Sequence, residues 1–335
     1  MGHRKHNAPR RGSLAFRPRA RTSHIVPLIR NWPEVDSDKP TLLGHVGFKA
    51  GCIHVITVDD REGSPNFGKP LFNAATVLVT PPLYIFGLRA YHKVNDHHQP
   101  LSEAYAKNLP KDLARKVRIQ PRAIEEFMKI LEKRLPEVKY FTALCYVRPK
   151  DIGLSQKKPF IFEVRIGGGD IKAQLDYLVS ILGKEVKISD IFKPGMYVDV
   201  IGITKGKGFE GPVTRMGIKR KQHKSRKSVR AVGTLGPWHP AAVMYTVPRA
   251  GQMGFHQRTE YNKRILILSN ESEMPITPKG GFPHFGVVRG DYIVVSGSVP
   301  GPVKRLVRLR FPMRAHVKKV QPPKIIEISV AQKVG

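Results

Sequence analysis

Carboxylates are scarce in this chain. Its 335 residues hold 26 Asp and Glu against 58 Lys and Arg, a formal charge of +32, and a globule so charged repels itself unless a polyanion neutralises it. The deficit is uneven. Residues 31–204 are nearly ordinary, with 25 basic and 20 acidic side chains, whereas residues 1–30 have eight basic and no acidic ones. Between 205 and 258, twelve Lys and Arg share one acid, Glu210. General acid and base catalysis needs several positioned titratable groups, so this segment argues against an enzyme acting through carboxylates and for nucleic acid as partner.

Cysteine is nearly missing as well. Cys52 and Cys145 stand 93 positions apart with no Cys neighbour, which excludes a disulfide framework and a C-x-x-C metal site and fits a reducing compartment. Long apolar runs are lacking. The stretches "AATVLV" and "ILIL" are far short of a membrane span. The opening "MGHRKHNAPRRG" has no apolar core for a signal peptide, and His6 stands where a myristoylation signal wants Ser or Thr. A cytoplasmic chain with no membrane segment is expected. His92, His97 and His98 lie close in sequence but find no His or Cys at a ligand spacing, so neither metal nor cofactor is expected.

Present in quantity are short β-type runs. "HVGFKAGCIHVITVDD" (45–60), "LFNAATVLVTP" (71–81), "YIFGLRAYHK" (84–93), "GMYVDVIGIT" (195–204), "NKRILILSN" (262–270), "DYIVVSGSV" (291–299) and "RLVRLRF" (305–311) are β-branched or aromatic and bounded by Gly, Pro or Asp. "KIIEISV" (324–330) reads as an eighth. Many short strands between turns suggest a barrel or sandwich. Two helices interrupt them. Pro121 suits a first turn ahead of Ile124, Phe127, Met128, Leu131 and Leu135 at helical spacing. Asp170 suits an amino-terminal cap ahead of Leu175, Leu178, Val179 and Leu182, with Gly183 as the stop. With "KYFTALCYVRP" and "PFIFEVRIGG" these make a small α+β insert, 94–184, in an otherwise β chain.

Gly206, Gly208 and Gly211 are spaced G-x-G-x-x-G after a strand-like run. A dinucleotide fingerprint also needs a helix opened by the third glycine and an acid about 20 residues on. The sequence after Pro212 has no continuous apolar helical face, and 222–235 contains no acid, so both conditions are expected to fail. Glycines between lysines instead let the backbone approach a surface closely. Seven Lys and Arg follow within 219–230, and then Trp238, His239, Tyr245, Phe255, His256 and Tyr261 interleave with Gly, Pro and Arg. Rings and guanidinium planes that can stack on unpaired bases, beside cations for phosphates, suit RNA. The competing reading of these aromatics is a minicore under a long surface loop. Residues 1–30, rich in Arg and Pro without apolar periodicity, read as an extended basic arm.

At "KGKGFEGPVTRMGIKRKQHKS", "GTLGPWHPAAVMYTVPRAGQMGFHQRTEYNKRI" and "TPKGGFPHFGVVRGDYIVVSGSVPGPVKR", together with the opening "GHRKHNAPRRGSLAFRPRAR", the chain closely resembles the ribosomal protein L three family of the large subunit in its archaeal and eukaryotic form. The resemblance covers nearly the whole chain. It implies a mainly β fold, a translation-protein-type β-barrel with a small α+β insert and long basic extensions. The division would be an arm (1–40), barrel segments (41–93, 185–204 and 262–335, the last with the C-terminal tail), the insert (94–184) and an rRNA-penetrating loop (205–261).

It also implies a structural, non-enzymatic role in early subunit assembly. The partners would be 23S-type large-subunit rRNA and neighbouring ribosomal proteins, with no small-molecule substrate. The residues expected on rRNA are Arg4, Lys5, Arg10, Arg11, Arg17, Arg19 and Arg21 in the arm. In the loop they are Lys205, Lys207, Arg215, Lys219, Arg220, Lys221, His223, Lys224, Arg226, Lys227, Arg230, Trp238, His239, Arg249, Gln252, His256 and Arg258. Trp238 and His239, in "GPWHP", match the family's loop tip near the peptidyl-transferase centre. An RNA-modifying enzyme and a basic chromatin-type protein are the alternatives; the latter has no need of an aromatic loop.

Overall fold

The computed structural model of the chain describes residues 9–119, 124–314 and 321–329, so Pro121 lies outside the described residues. Contacts divide the chain into two units: residues 26–202 with 259 onward, and the residues up to 25 with 203–258.

In chain order the longer strands of the first unit are β1 (Gly44–Val58), β2 (Pro70–Val79), β3 (Leu83–Val94), β4 (His97–Tyr105), β5 (Val138–Val147) and β6 (Phe160–Gly167). They continue with β7 (Tyr197–Ile203), β8 (Gln257–Asn270), β9 (Asp291–Ser296), β10 (Leu306–Arg310) and β11 (Ile325–Ser329). The last residue of β7 and the first two of β8 already belong to the second unit. The fold is mainly β, and one sheet closes on itself. Neighbours run β10, β7, β8, β9, β2, β1, and β10 pairs β1 as well, Leu306 opposite Phe48 and Arg310 opposite Gly44. The result is a six-stranded barrel without free edges among these strands, and β11 adds to the far end of β1.

The second sheet runs Thr41–Leu42, β6, β5, β3, β4, with Glu185–Val186 on β3. The run at 84–93, expected in the barrel, pairs here instead. Pro81 and Pro82 separate it from β2, and two residues without a backbone donor end the ladder and turn the chain out of the barrel. Helix α1 (Ile124–Arg134) buries Phe127 and Leu131 against β4, and α2 (Ile171–Ile181) buries Leu175 and Leu178 against β5. Asp170 occupies the cap position of α2, though its side chain makes no cap bond, and Gly183 has the left-handed conformation expected of the stop. Val179, expected on the buried face, is exposed.

One apolar core runs through the barrel and this sheet, with the Phe48 and Phe160 rings 5.9 Å apart. Arg308 of β10 is buried within it, between the Trp32 and Phe162 rings, and donates to the carbonyls of Pro27 and Glu163. Burial pushes its pKa down to about 10. Arg310 pairs with fully buried Asp199 at 2.6 Å and donates to Asn31 O, also at 2.6 Å. Two core arginines therefore fix the segment that leads out of the arm.

Candidate nucleic-acid interface

The second unit begins with two pieces of chain hydrogen-bonded side by side. Thr204 N donates to His256 O (2.9 Å), Phe255 N to Lys205 O (3.2 Å), Lys207 N to Met253 O (2.9 Å) and Met253 N to Gly208 O (2.8 Å). Phe209–Glu210 and Gly251–Gln252 extend the ladder as short strands. Two glycines make it possible. Gly208 has φ +69° and Gly254 φ +73°, and a Cβ at Gly254 would lie 1.9 Å from Lys205 O. No side chain can occupy that position without moving the backbone.

Only Gly208 of the three spaced glycines has a left-handed conformation. Gly211 does open a helix, α3 (Pro212–Met216), contrary to expectation, with Pro212 in its first turn and Gly217 closing it at φ +69°. Five residues are too few to show the apolar periodicity by which helices are read, and an acid that could hold a ribose is still missing from 222–235. The glycines serve the turn and the ladder.

The arm lies on this base. Its backbone meets the ladder where Thr22 N donates to Phe255 O (2.9 Å). Arg17, Arg19 and Arg21 alternate along it. The outer two lie over the Tyr245 and Phe255 rings at 5.5 and 5.9 Å, and Arg19 Nη1 donates to Arg215 O at 2.8 Å. Arg10 reaches Thr246 O (2.8 Å), and Arg258 stacks over Phe16 of the arm at 4.5 Å. His256 is buried, its Nδ1–H donating to Ala20 O (2.9 Å). Arg215 donates to the carbonyls of Gln252 (2.9 Å) and Arg249 (3.0 Å), and Gln252 Nε2 to that of Gly254 (3.0 Å). Arg215, Gln252 and His256 thus also hold the base together. Arg4 and Lys5 lie outside the described residues.

Beyond α3, residues 218–250 form no helix or strand. Lys219, Arg220, His223, Lys224, Arg226, Lys227, Arg230 and Arg249 are exposed, as are Arg11, Lys205 and Lys207 nearer the base, while Lys221 is half-buried. Lys221 N donates to Val229 O (2.9 Å), closing the basic run into a loop. Trp238 is 89% exposed and His239 is exposed beside it. The minicore reading fails for Trp238 and Tyr245, both largely exposed, and Phe209 is exposed as well. Phe209 was missed from sequence; its signal was an aromatic directly after "KGKG". Phe16 was missed too, because its partner Arg258 is remote in sequence.

Electrostatics divides the chain the same way. The second unit has nineteen basic residues and one carboxylate, Glu210; the first has 39 and 25. Among the described residues every ion pair falls in the first unit. The arginines at the base repel one another: Arg215 is depressed by burial and then by Arg19 and Arg17, and Arg258 by burial and then Arg19. An unneutralised cationic surface carrying exposed rings is suited to RNA.

The family model of ribosomal protein L3 matches residues 1–334. The chain belongs to the ribosomal protein L3 family. Among its relatives, the large ribosomal subunit protein uL3 of Caldivirga maquilingensis is 49% identical, covering 98% of both chains. Those of Methanocaldococcus jannaschii and Archaeoglobus fulgidus are each 45% identical, covering 98% and 99% of both chains respectively. Nothing in these family relatives points to an RNA-modifying activity.

Proposed function

We propose that this chain is a structural constituent of the large ribosomal subunit, held by large-subunit rRNA and neighbouring ribosomal proteins. The arm and residues 205–261 would lie along rRNA, with Trp238 and His239 toward the peptidyl-transferase centre, tuning peptide-bond chemistry without performing it. One observation carries the reading: a unit with nineteen cations and one carboxylate in which no described ion pair forms. Such a surface draws its binding energy from counterions released by phosphates, and family membership names the RNA.

The test is filter binding of the full chain to large-subunit rRNA across a salt series. A steep negative slope of log affinity against log salt is expected. Each phosphate contact in single-stranded or duplex regions contributes roughly 0.7 to 0.9 to that slope, so deleting residues 1–25 should flatten it. A slope near zero for the intact protein would remove the polyanion reading.

A further inference from the structure

Within the second unit, a pocket of about 350 Å³ is bordered by Arg19, Lys205, Lys207, Arg215, His256 and Arg258. It draws on three separate pieces of chain, since Arg19 comes from the arm, Lys205, Lys207 and Arg215 from the first side of the ladder and the α3 that follows it, and His256 and Arg258 from the second side. The hydrogen bonds already made leave donors over. Arg19 gives Nη1 to Arg215 O while its buried Nε has no partner, and Arg215 has committed Nε and Nη1 to carbonyls. Arg19 raises the electrostatic cost of the charges on Arg215 and Arg258.

Proteins ordinarily settle such a cluster with Asp or Glu. Among the described residues none pairs with it. The counter-charge must therefore come from outside, and planar guanidinium forks are matched to the oxygens of a phosphate. No exposed ring lines the pocket, since the His256 imidazole is buried on Ala20 O, so the pocket suits a phosphate and not a base.

We propose that this pocket seats one phosphate group of the RNA backbone, and that its occupancy fastens the arm to the base of the loop. The proposal rests on the rRNA-binding reading and adds a linkage to it. Bound phosphate neutralises the repulsion that opposes arm docking, so arm docking and RNA binding strengthen each other. Removing the phosphate loosens the arm without unmaking the ladder.

The experiment follows amide hydrogen exchange at Thr22 and Phe255 in the full chain. The conditions are chloride, inorganic phosphate at equal ionic strength, and a 12-nucleotide RNA duplex. Protection of Thr22 should rise about tenfold once a probe exceeds its dissociation constant tenfold. The Arg19→Gln variant should lose that gain. Because Arg19 also holds the arm directly, the double variant Lys205→Gln, Lys207→Gln is the second arm. Its backbone ties remain and two of the repelling charges are gone, so it should dock at least as firmly as wild type in chloride and gain less from either probe.

A rise with RNA and none with free phosphate assigns the seat to a phosphodiester held in a longer chain. A rise with both assigns it to the phosphate group itself. Equal Thr22 protection in chloride, phosphate and RNA would overturn the proposal, and so would a full gain in both variants. If RNA still binds with a steep salt slope in those cases, the ribosomal reading stands and the seat alone is lost.

Discussion

An indole 89% exposed leaves a large flat apolar face in water, where it contributes nothing to the stability of its own chain. Trp238 therefore acts through what it meets. Stacking of a base on an aromatic is worth about 1–3 kcal/mol by alanine substitution, small beside an anchor of many phosphate contacts. Trp238→Ala is expected to leave occupancy in purified large subunits almost intact while altering tRNA affinity or peptidyl transfer. Trp238→Phe, which keeps a stacking face, should be milder. Loss of the alanine variant from subunits as complete as that of a Lys219, Arg220, Lys221 triple replacement would make Trp238 an anchor instead. His45 is the opposite case. It is buried in the barrel, and burial holds its pKa at about 4. The unfolded chain, titrating near 6.5, binds the proton more readily, so its contribution is complete above pH 6.5. It declines as pH falls toward 4, by about 3 kcal/mol in all. Urea midpoints between pH 7 and 4 should fall less for His45→Gln than for wild type, and parallel curves would show that other groups govern the acid limb.

Among elements, the ladder at the loop base and the loop beyond it should differ in dynamics. The amides of Thr204, Lys207, Met253 and Phe255 are bonded between two segments of the chain, whereas residues 218–250 have no regular element. Hydrogen exchange of the free protein is expected to be slow at the former and fast along the latter. Gly254→Ala should abolish the difference, because its Cβ would meet Lys205 O at 1.9 Å. Uniform fast exchange already in wild type would show that the ladder forms only on RNA.

Much of this architecture is legible in sequence. β-branched and aromatic runs cut by Gly and Pro show where strands lie, but which partner each takes depends on long-range packing, so the run at 84–93 reads as a barrel strand. Charge density marks the cations of arm and loop. It does not show that Arg215 and His256 are committed to carbonyls, nor that Arg17 faces Tyr245, because contacts between residues from some 35 to more than 200 positions apart leave no local spacing to read. Helix α3 is too short for periodicity, and only Gly211–Pro212 hints at it.

For the whole molecule the deciding feature is the strand that closes the barrel. β10 contributes buried Leu306, Val307 and Leu309, and its two arginines hold Pro27, Asn31 and Asp199. Removing one partner from a buried ion pair costs about 3–5 kcal/mol, to which the lost ladders on both sides of β10 must be added. A chain ending at Pro300 is therefore expected to lose the cooperative urea transition of the intact protein, monitored by near-ultraviolet circular dichroism. Retention of the full midpoint would mean that closure is dispensable. The same pairing fixes an order of events during translation of the chain itself. β1 is complete at Val58, but the strand that must lie beside it begins at Leu306. At about 5–20 residues per second, the first strand, paired early with β2, waits roughly 10 to 50 seconds for the neighbour that closes the barrel. The basic loop, ending some fifty residues before β10, is thus made and exposed while the barrel is still open, so nascent chains have a window in which bound polyanion or a chaperone can keep them from associating through unpaired strand edges.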